Sequence, residues 1–210
     1  KFVLIKAGTF MMGDKNSTSW KNEPQHQVTL TKDFYMQTTE VTCAQYEMIC
    51  DNFNFEDKDS PIHLPWNYVV EFCKKISERE RKHYRLPTEA EWEYTCRAGS
   101  TKKFCFGDDE SELKEYAWYK AGKGLQPVGR KKPNAWGLYD VHGNAWEWCS
   151  DIYGGYPKES VVDPIGPKSN DDNILIRVIR GGSEWAFPTC YVREGVGPDI
   201  SAGFRCVLEK

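Results

Sequence analysis

Eight cysteines, at positions 43, 50, 73, 96, 105, 149, 190 and 206, hold most of the latent chemistry in this 210-residue chain. Thiolates ligate soft metals, form crosslinks or act as nucleophiles. No two cysteines stand as C-x-x-C, so the spacings of zinc ribbons and of thioredoxin-type redox centres are both absent. Their number suits one or two long-range disulfides as well as it suits buried free thiols. Histidines 26, 63, 83 and 142 are scattered. His142 sits in a turn, but with no second histidine at ligand spacing a solvent-facing or hydrogen-bonded role is expected. Ser183 lacks the G-x-S-x-G elbow of a hydrolase, and Gly181-Gly182-Ser183 reads as strand.

The elements that must position these groups divide into two halves. Phe2-Val3-Leu4-Ile5, Gly8 to Gly13 and His26 to Leu30 read as short strands between polar turns. Thr42 and Gln45 form a capping box that starts a helix, with Val41 placed to staple onto Tyr46. A second helix is expected from about Trp66 to Glu80, with Val69, Val70, Cys73 and Ile76 on one face. Thr88 and Glu91 make another capping box after Pro87, and the acids of Glu89-Ala90-Glu91-Trp92-Glu93 suit the dipole of a third helix. Beyond Cys96 no long helical period survives. Loops stitched to short antiparallel strands are expected there, with a surface loop over about 153–173.

At 40% hydrophobic and 14% aromatic content the chain has ample material for a core, and one domain over 1–210 is expected. The formal charge is −3 and no basic tract exceeds Gly129-Arg130-Lys131-Lys132, which disfavours nucleic-acid or anionic-membrane binding. No apolar run reaches the length of a membrane span, and the opening Lys1 to Lys6 is too short for a signal peptide.

Several blocks, in order along the chain, carry a resemblance: Gly8-Thr9-Phe10-Met11-Met12-Gly13, Glu40-Val41-Thr42, Arg85-Leu86-Pro87-Thr88-Glu89-Ala90-Glu91-Trp92-Glu93-Tyr94, Gly143-Asn144-Ala145-Trp146-Glu147-Trp148, Arg177 to Ser183, and Gly203-Phe204-Arg205. Through them the chain resembles the formylglycine-generating enzyme, or sulfatase-modifying factor, family. The resemblance implies an α+β fold of C-type-lectin type, with a small antiparallel sheet, few helices and extensive loops. The fold hosts several activities, so the site must decide the function.

In the enzymes of this family two cysteines between the Gly-Gly-Ser and Gly-Phe-Arg blocks hold copper for oxygen chemistry, as two soft thiolates suit Cu(I). Residues 184–202 of this chain contain Cys190 alone. No catalytic residue is therefore assigned and no copper is expected. The resemblance further pairs Cys96 with Cys190 and Cys73 with Cys206. Each disulfide would close a loop of roughly a hundred residues and contribute about 4 kcal/mol on the chain-entropy model. It also implies a structural Ca²⁺ on the side chains of Asp140 and Glu147 and the carbonyls of Gly143 and Ala145, hard oxygen donors around a tight turn.

A second branch of the fold, the variable proteins of diversity-generating retroelements, resembles the chain at its C-terminal end. There the corresponding segment is a binding surface. The residues expected to contact ligand are Trp185, Ala186, Phe187, Pro188, Thr189, Tyr191, Gly195, Val196, Asp199 and Ile200. Aromatic residues on rigid loops recognise proteins, peptides or carbohydrates at low entropic cost. The expectation is a non-catalytic ligand-binding domain, secreted or at the cell surface; the alternatives are a formylglycine-generating-type oxidase and an inactive paralogue regulating sulfatase maturation.

Overall fold

The computed structural model describes residues 1–16, 24–50, 53–120, 122, 124–168, 175–183 and 186–210. The opening runs form β1 (Phe2–Ile5), β2 (Gly8–Met12) and β3 (His26–Leu30), followed by β4 (Phe34–Gln37). Helix α1 (Cys43–Glu47) starts on the expected box: Thr42 Oγ1 accepts from Gln45 N, and Gln45 Oε1 from Thr42 N, both at 3.2 Å. Helix α2 (Trp66–Glu80) has the expected bounds but a different face. It buries Val69, Phe72 and Cys73, whereas Val70 is 38% exposed. At about 100° per residue, positions 69, 72, 73 and 76 share a stripe that 70 cannot join.

After β5 (Tyr84–Arg85), helix α3 (Glu89–Arg97) opens on the Thr88–Glu91 box, with Glu91 N donating to Thr88 Oγ1 at 3.1 Å and Thr88 N to Glu91 Oε2 at 2.8 Å. A one-turn helix α4 (Leu113–Tyr116) precedes long loops and the strands β6 (Glu147–Ile152), β7 (Val161–Val162), β8 (Arg177–Arg180), β9 (Arg193–Val196) and β10 (Val207–Glu209). No helix among the described residues is long and apolar enough to cross a membrane.

The strands build three small sheets, ordered β1-β4-β10-β5, β2-β3-β7 and β6-β8-β9. All pairs are antiparallel except β3 with β7, where Val28 and Thr29 face Val161 and Val162. The stretch expected to be plain surface loop is thus tied back to a sheet, and Asp163 reinforces it by accepting from Thr31 N at 2.8 Å. Strand β8 stops at Arg180, before the Gly181-Gly182-Ser183 run that reads as strand from sequence. Gly181 and Gly182 adopt φ of 94° and 79°, a left-handed conformation that breaks a strand and turns the chain into the terminal loop.

Among the described residues three apolar clusters lie in the interior, the smallest of Phe104, Leu113 and Ala117. Of the others, one gathers Val28, Met36, Trp92, Cys96, Leu138, Cys149, Val178 and Cys190; the second gathers Tyr46, Val69, Phe72, Trp148, Phe204 and Cys206.

Candidate functional site

Helix α3 carries two carboxylates into the protein interior, and these position the terminal loop. Glu93 is fully buried and accepts from Gly13 N and Arg97 Nε, each at 2.8 Å, and from Arg180 Nη2. Burial would raise its pKa, but Arg97 and Arg180 outweigh it and hold the carboxyl below its ordinary range. Arg180 then donates to the carbonyls of Cys190, Tyr191 and Val192 at 3.1, 3.0 and 2.8 Å. One turn earlier, Glu89 takes Arg193 in a bidentate pair at 2.7 and 2.8 Å and accepts from the Tyr156 hydroxyl. The backbone of residues 190–193 is therefore clamped to α3 by two buried guanidinium groups.

Beneath the clamp, three fully buried side chains from distant segments meet. Cys96 Sγ, a nitrogen of His142 and Cys190 Sγ all lie within 4.8 Å of one another. His142 is oriented on both ring nitrogens: Nδ1 lies 2.7 Å from Pro188 O, and Nε2 accepts from Cys105 N at 3.0 Å. Cys190 Sγ lies 4.0 Å from Nε2. These contacts require the ring protonated at Nδ1 and bare at Nε2. Sequence spacing did not reveal this cluster, because its members are brought together only by the tertiary fold.

All eight cysteines carry free thiols. The members of each expected disulfide pair share one place in the interior: Cys73 and Cys206 lie in the same apolar cluster, and Cys96 and Cys190 meet beside His142.

The residues expected to contact ligand divide by position. Trp185 lies outside the described residues. Ala186, Phe187 and Tyr191 are half-buried at the loop, Pro188 and Thr189 are buried, and Asp199 and Ile200 are exposed. Phe187 belongs to an aromatic group with Phe104 and Tyr119, at centroid distances of 5.8 and 5.6 Å, and Lys103 Nζ lies 4.4 Å from its ring centre. Val196 packs against the second apolar cluster. Gly195 is a packing position: a Cβ there would meet Tyr153 Cγ at 2.5 Å and Ile176 Cγ2 at 2.9 Å. Gly195→Ala is expected to cost about 1–3 kcal/mol through overpacking, read as a lower denaturation midpoint. An unchanged midpoint would show that this site is open.

The turn expected to bind Ca²⁺ is well formed but does not offer all four donors. Glu147 is fully buried and spends both oxygens on Arg205, each at 2.6 Å, while Trp92 Nε1 donates to it at 2.9 Å. A cation there would face the Arg205 guanidinium, and Gly143 O already accepts from Ala145 N at 2.8 Å. Asp140 accepts from Gly129 N at 2.6 Å with one oxygen. Its Oδ1 and Glu40 Oε2 are buried without a donor among the described residues. Burial first, then mutual repulsion and that of Glu147, raises the Glu40 pKa, and burial raises that of Asp140. A shared proton or a bound cation would satisfy both oxygens. A Ca²⁺ in this turn would have to share Glu147 with Arg205, while the orphaned oxygens of Asp140 and Glu40 are donors left open to it.

Short strands in three sheets, few helices and long loops clamped by buried ion pairs define a C-type-lectin-like scaffold of the formylglycine-generating type. The chain belongs to the sulfatase-modifying factor family: the sulfatase-modifying factor enzyme 1-like domain matches residues 1–210. Formylglycine-generating enzyme of Bos taurus is 35% identical over 72% of this chain and 44% of its own length. The inactive C-alpha-formylglycine-generating enzyme 2 of Mus musculus is 35% identical over 69% of this chain and 47% of its own. The chain thus spans less than half the length of these relatives. Among solved structures, variable protein 1 of Treponema denticola superposes with a TM-score of 0.89 at 26% identity, covering 100% of this chain and 95% of that one.

Proposed function

We propose that this chain is a non-catalytic member of its family that binds a protein, peptide or carbohydrate ligand through its C-terminal loops, outside the cytoplasm. The observation that carries the proposal is the segment from Glu184 to Ala202, whose one cysteine, Cys190, lies fully buried beneath the Arg180 clamp. A copper-dependent cysteine oxidase of this family needs two thiols open to a substrate thiol, and this loop offers neither a pair nor access.

The binding role is supported by the likeness to the Treponema denticola variable protein and by the Phe187 group. There a half-buried ring beside Lys103 can accept an aromatic or sugar face. In an oxidising compartment Cys73 with Cys206, in one buried cluster, and Cys96 with Cys190, within 4.8 Å, would be candidates for crosslinks.

The test has two arms. The reduced chain, loaded with Cu(I), should leave a sulfatase-type cysteine peptide unconverted, whereas conversion would restore the enzyme reading. Immobilised protein screened against peptide and glycan arrays should yield ligands whose binding falls at least tenfold in Phe187→Ala. Array binding indifferent to this change would remove the C-terminal loops as the recognition face.

Similarity to the inactive mouse paralogue supports a second reading, regulation of an active formylglycine-generating enzyme. Inhibition or stimulation of such an enzyme by added chain would favour it.

A further inference from the structure

We propose that Cys96, His142 and Cys190 form a buried binding site for Zn²⁺, with Cys105 as the fourth donor. The site lies on the floor of the ligand-binding loops and belongs to the reduced chain, in which Cys96 and Cys190 are free thiols.

Zinc takes thiolate at about 2.3 Å and imidazole at about 2.0 Å, which puts donors of one tetrahedral shell roughly 3.5–4 Å apart. Here three donor atoms already lie within 4.8 Å of one another, and the Cys190 to His142 separation is 4.0 Å. Closing the shell takes shifts of a few tenths of an ångström to about 1 Å, within the reach of side-chain rotation. The donors are soft thiolates and an imidazole, the set that zinc prefers over the hard cations served by carboxylates.

The second observation is how His142 is held. Its Nδ1 is 2.7 Å from the Pro188 carbonyl, the outer-shell contact that fixes a zinc-bound histidine with Nε2 directed at the metal. The ring has Phe104 and Phe106 edge-on at 5.6 and 5.7 Å, so it cannot easily swing away.

In the metal-free chain Nε2 accepts the Cys105 amide at 3.0 Å. Zinc would replace that neutral hydrogen bond and release the turn that carries Cys105. This residue is half-buried, unlike the other three, and its backbone amide already sits on the His142 ring. It provides both the fourth donor and the entry path. Coordination would expel the thiol protons, so affinity should fall steeply as the pH is lowered.

The test uses the whole chain, reduced, stripped with a chelator and kept anaerobic, titrated with Zn²⁺ alone against a competing indicator. One zinc per chain is expected, with proton release and protection of Cys105 from alkylation. His142→Gln should weaken binding by at least about 100-fold, beyond the 10–100-fold typical of outer-shell changes. Cys43→Ala, which removes a thiol in the second apolar cluster, should bind as the parent does. Co²⁺ loaded into the unmodified chain should give tetrahedral visible bands and a thiolate-to-metal charge-transfer band, a readout that needs no variant to fold. The proposal is overturned if the reduced chain takes up no zinc, if His142→Gln binds like the parent, or if the cobalt spectrum lacks the thiolate band.

Discussion

Replacing Glu93 with Ala is expected to cost about 3–5 kcal/mol, because it leaves buried positive charge without its counterion. The side chains of Arg97 and Arg180 are only 4% and 0% exposed, and Glu93 is their shared acceptor. The nearest other carboxylate to Arg180 is Glu89, 3.7 Å away and already bidentate with Arg193. Removing Glu93 also orphans Gly13 N. Glu93→Gln keeps an acceptor but not the charge, so its loss should be smaller. Chemical denaturation gives the numbers, and a loss under about 1 kcal/mol for the Ala variant would contradict the central role of this carboxylate. Faster amide exchange over residues 190–193 should accompany the loss, as Arg180 would no longer hold their carbonyls in one place.

Asp151 governs the second large effect, a pH dependence. It is 4% exposed, and burial first, then the nearby Glu89 charge, raises its pKa from 3.8 to about 7. Glu89 N still donates to its Oδ2 at 2.9 Å, so the group stays in place when protonated. An acid whose pKa is raised on folding binds its proton more tightly in the folded state. Its stabilising contribution is complete below the unfolded value near 4 and is lost as the pH rises towards 7. A shift of about three units corresponds to on the order of 4 kcal/mol. Asp151→Asn, which cannot ionise, should therefore be more stable than the parent at about pH 8, by a few kcal/mol, and nearly equal at about pH 4.5. Urea midpoints for both proteins across that range measure the difference. Parallel curves would mean that Asp151 ionises freely in the folded protein.

Much of the frame is readable from local chemistry. Both capping boxes act as written, and the bounds of α2 match, because caps and helical period are determined by neighbours in sequence. The face of α2 was harder to read: Val70 is as apolar as Val69, and only the position of the sheet decides for Phe72. The acids of α3 read only as dipole-compensating, and the burial of Glu89 and Glu93 does not follow from that reading. Their i, i+4 spacing was a usable signal, since it puts two carboxylates on one face, and Arg177-Val178-Ile179-Arg180 places arginines inside an apolar strand. Glu147 reads as an ion ligand from its turn alone, and the fold adds Arg205 from 58 residues away as its partner. His142 shows the same limit. Its partners are two thiols that no local spacing connects to it, so only the packed chain reveals what it faces.

The order of the first sheet bears on how the chain comes into being. Val207–Glu209 lies between β4 and β5, pairing Val207 with both Met36 and Arg85. On the ribosome the early strands must wait for Val207–Glu209 before that ladder closes, and such long-range closure is slow. Until then β4 presents an unpaired edge to neighbouring chains, and pairing between molecules competes with folding.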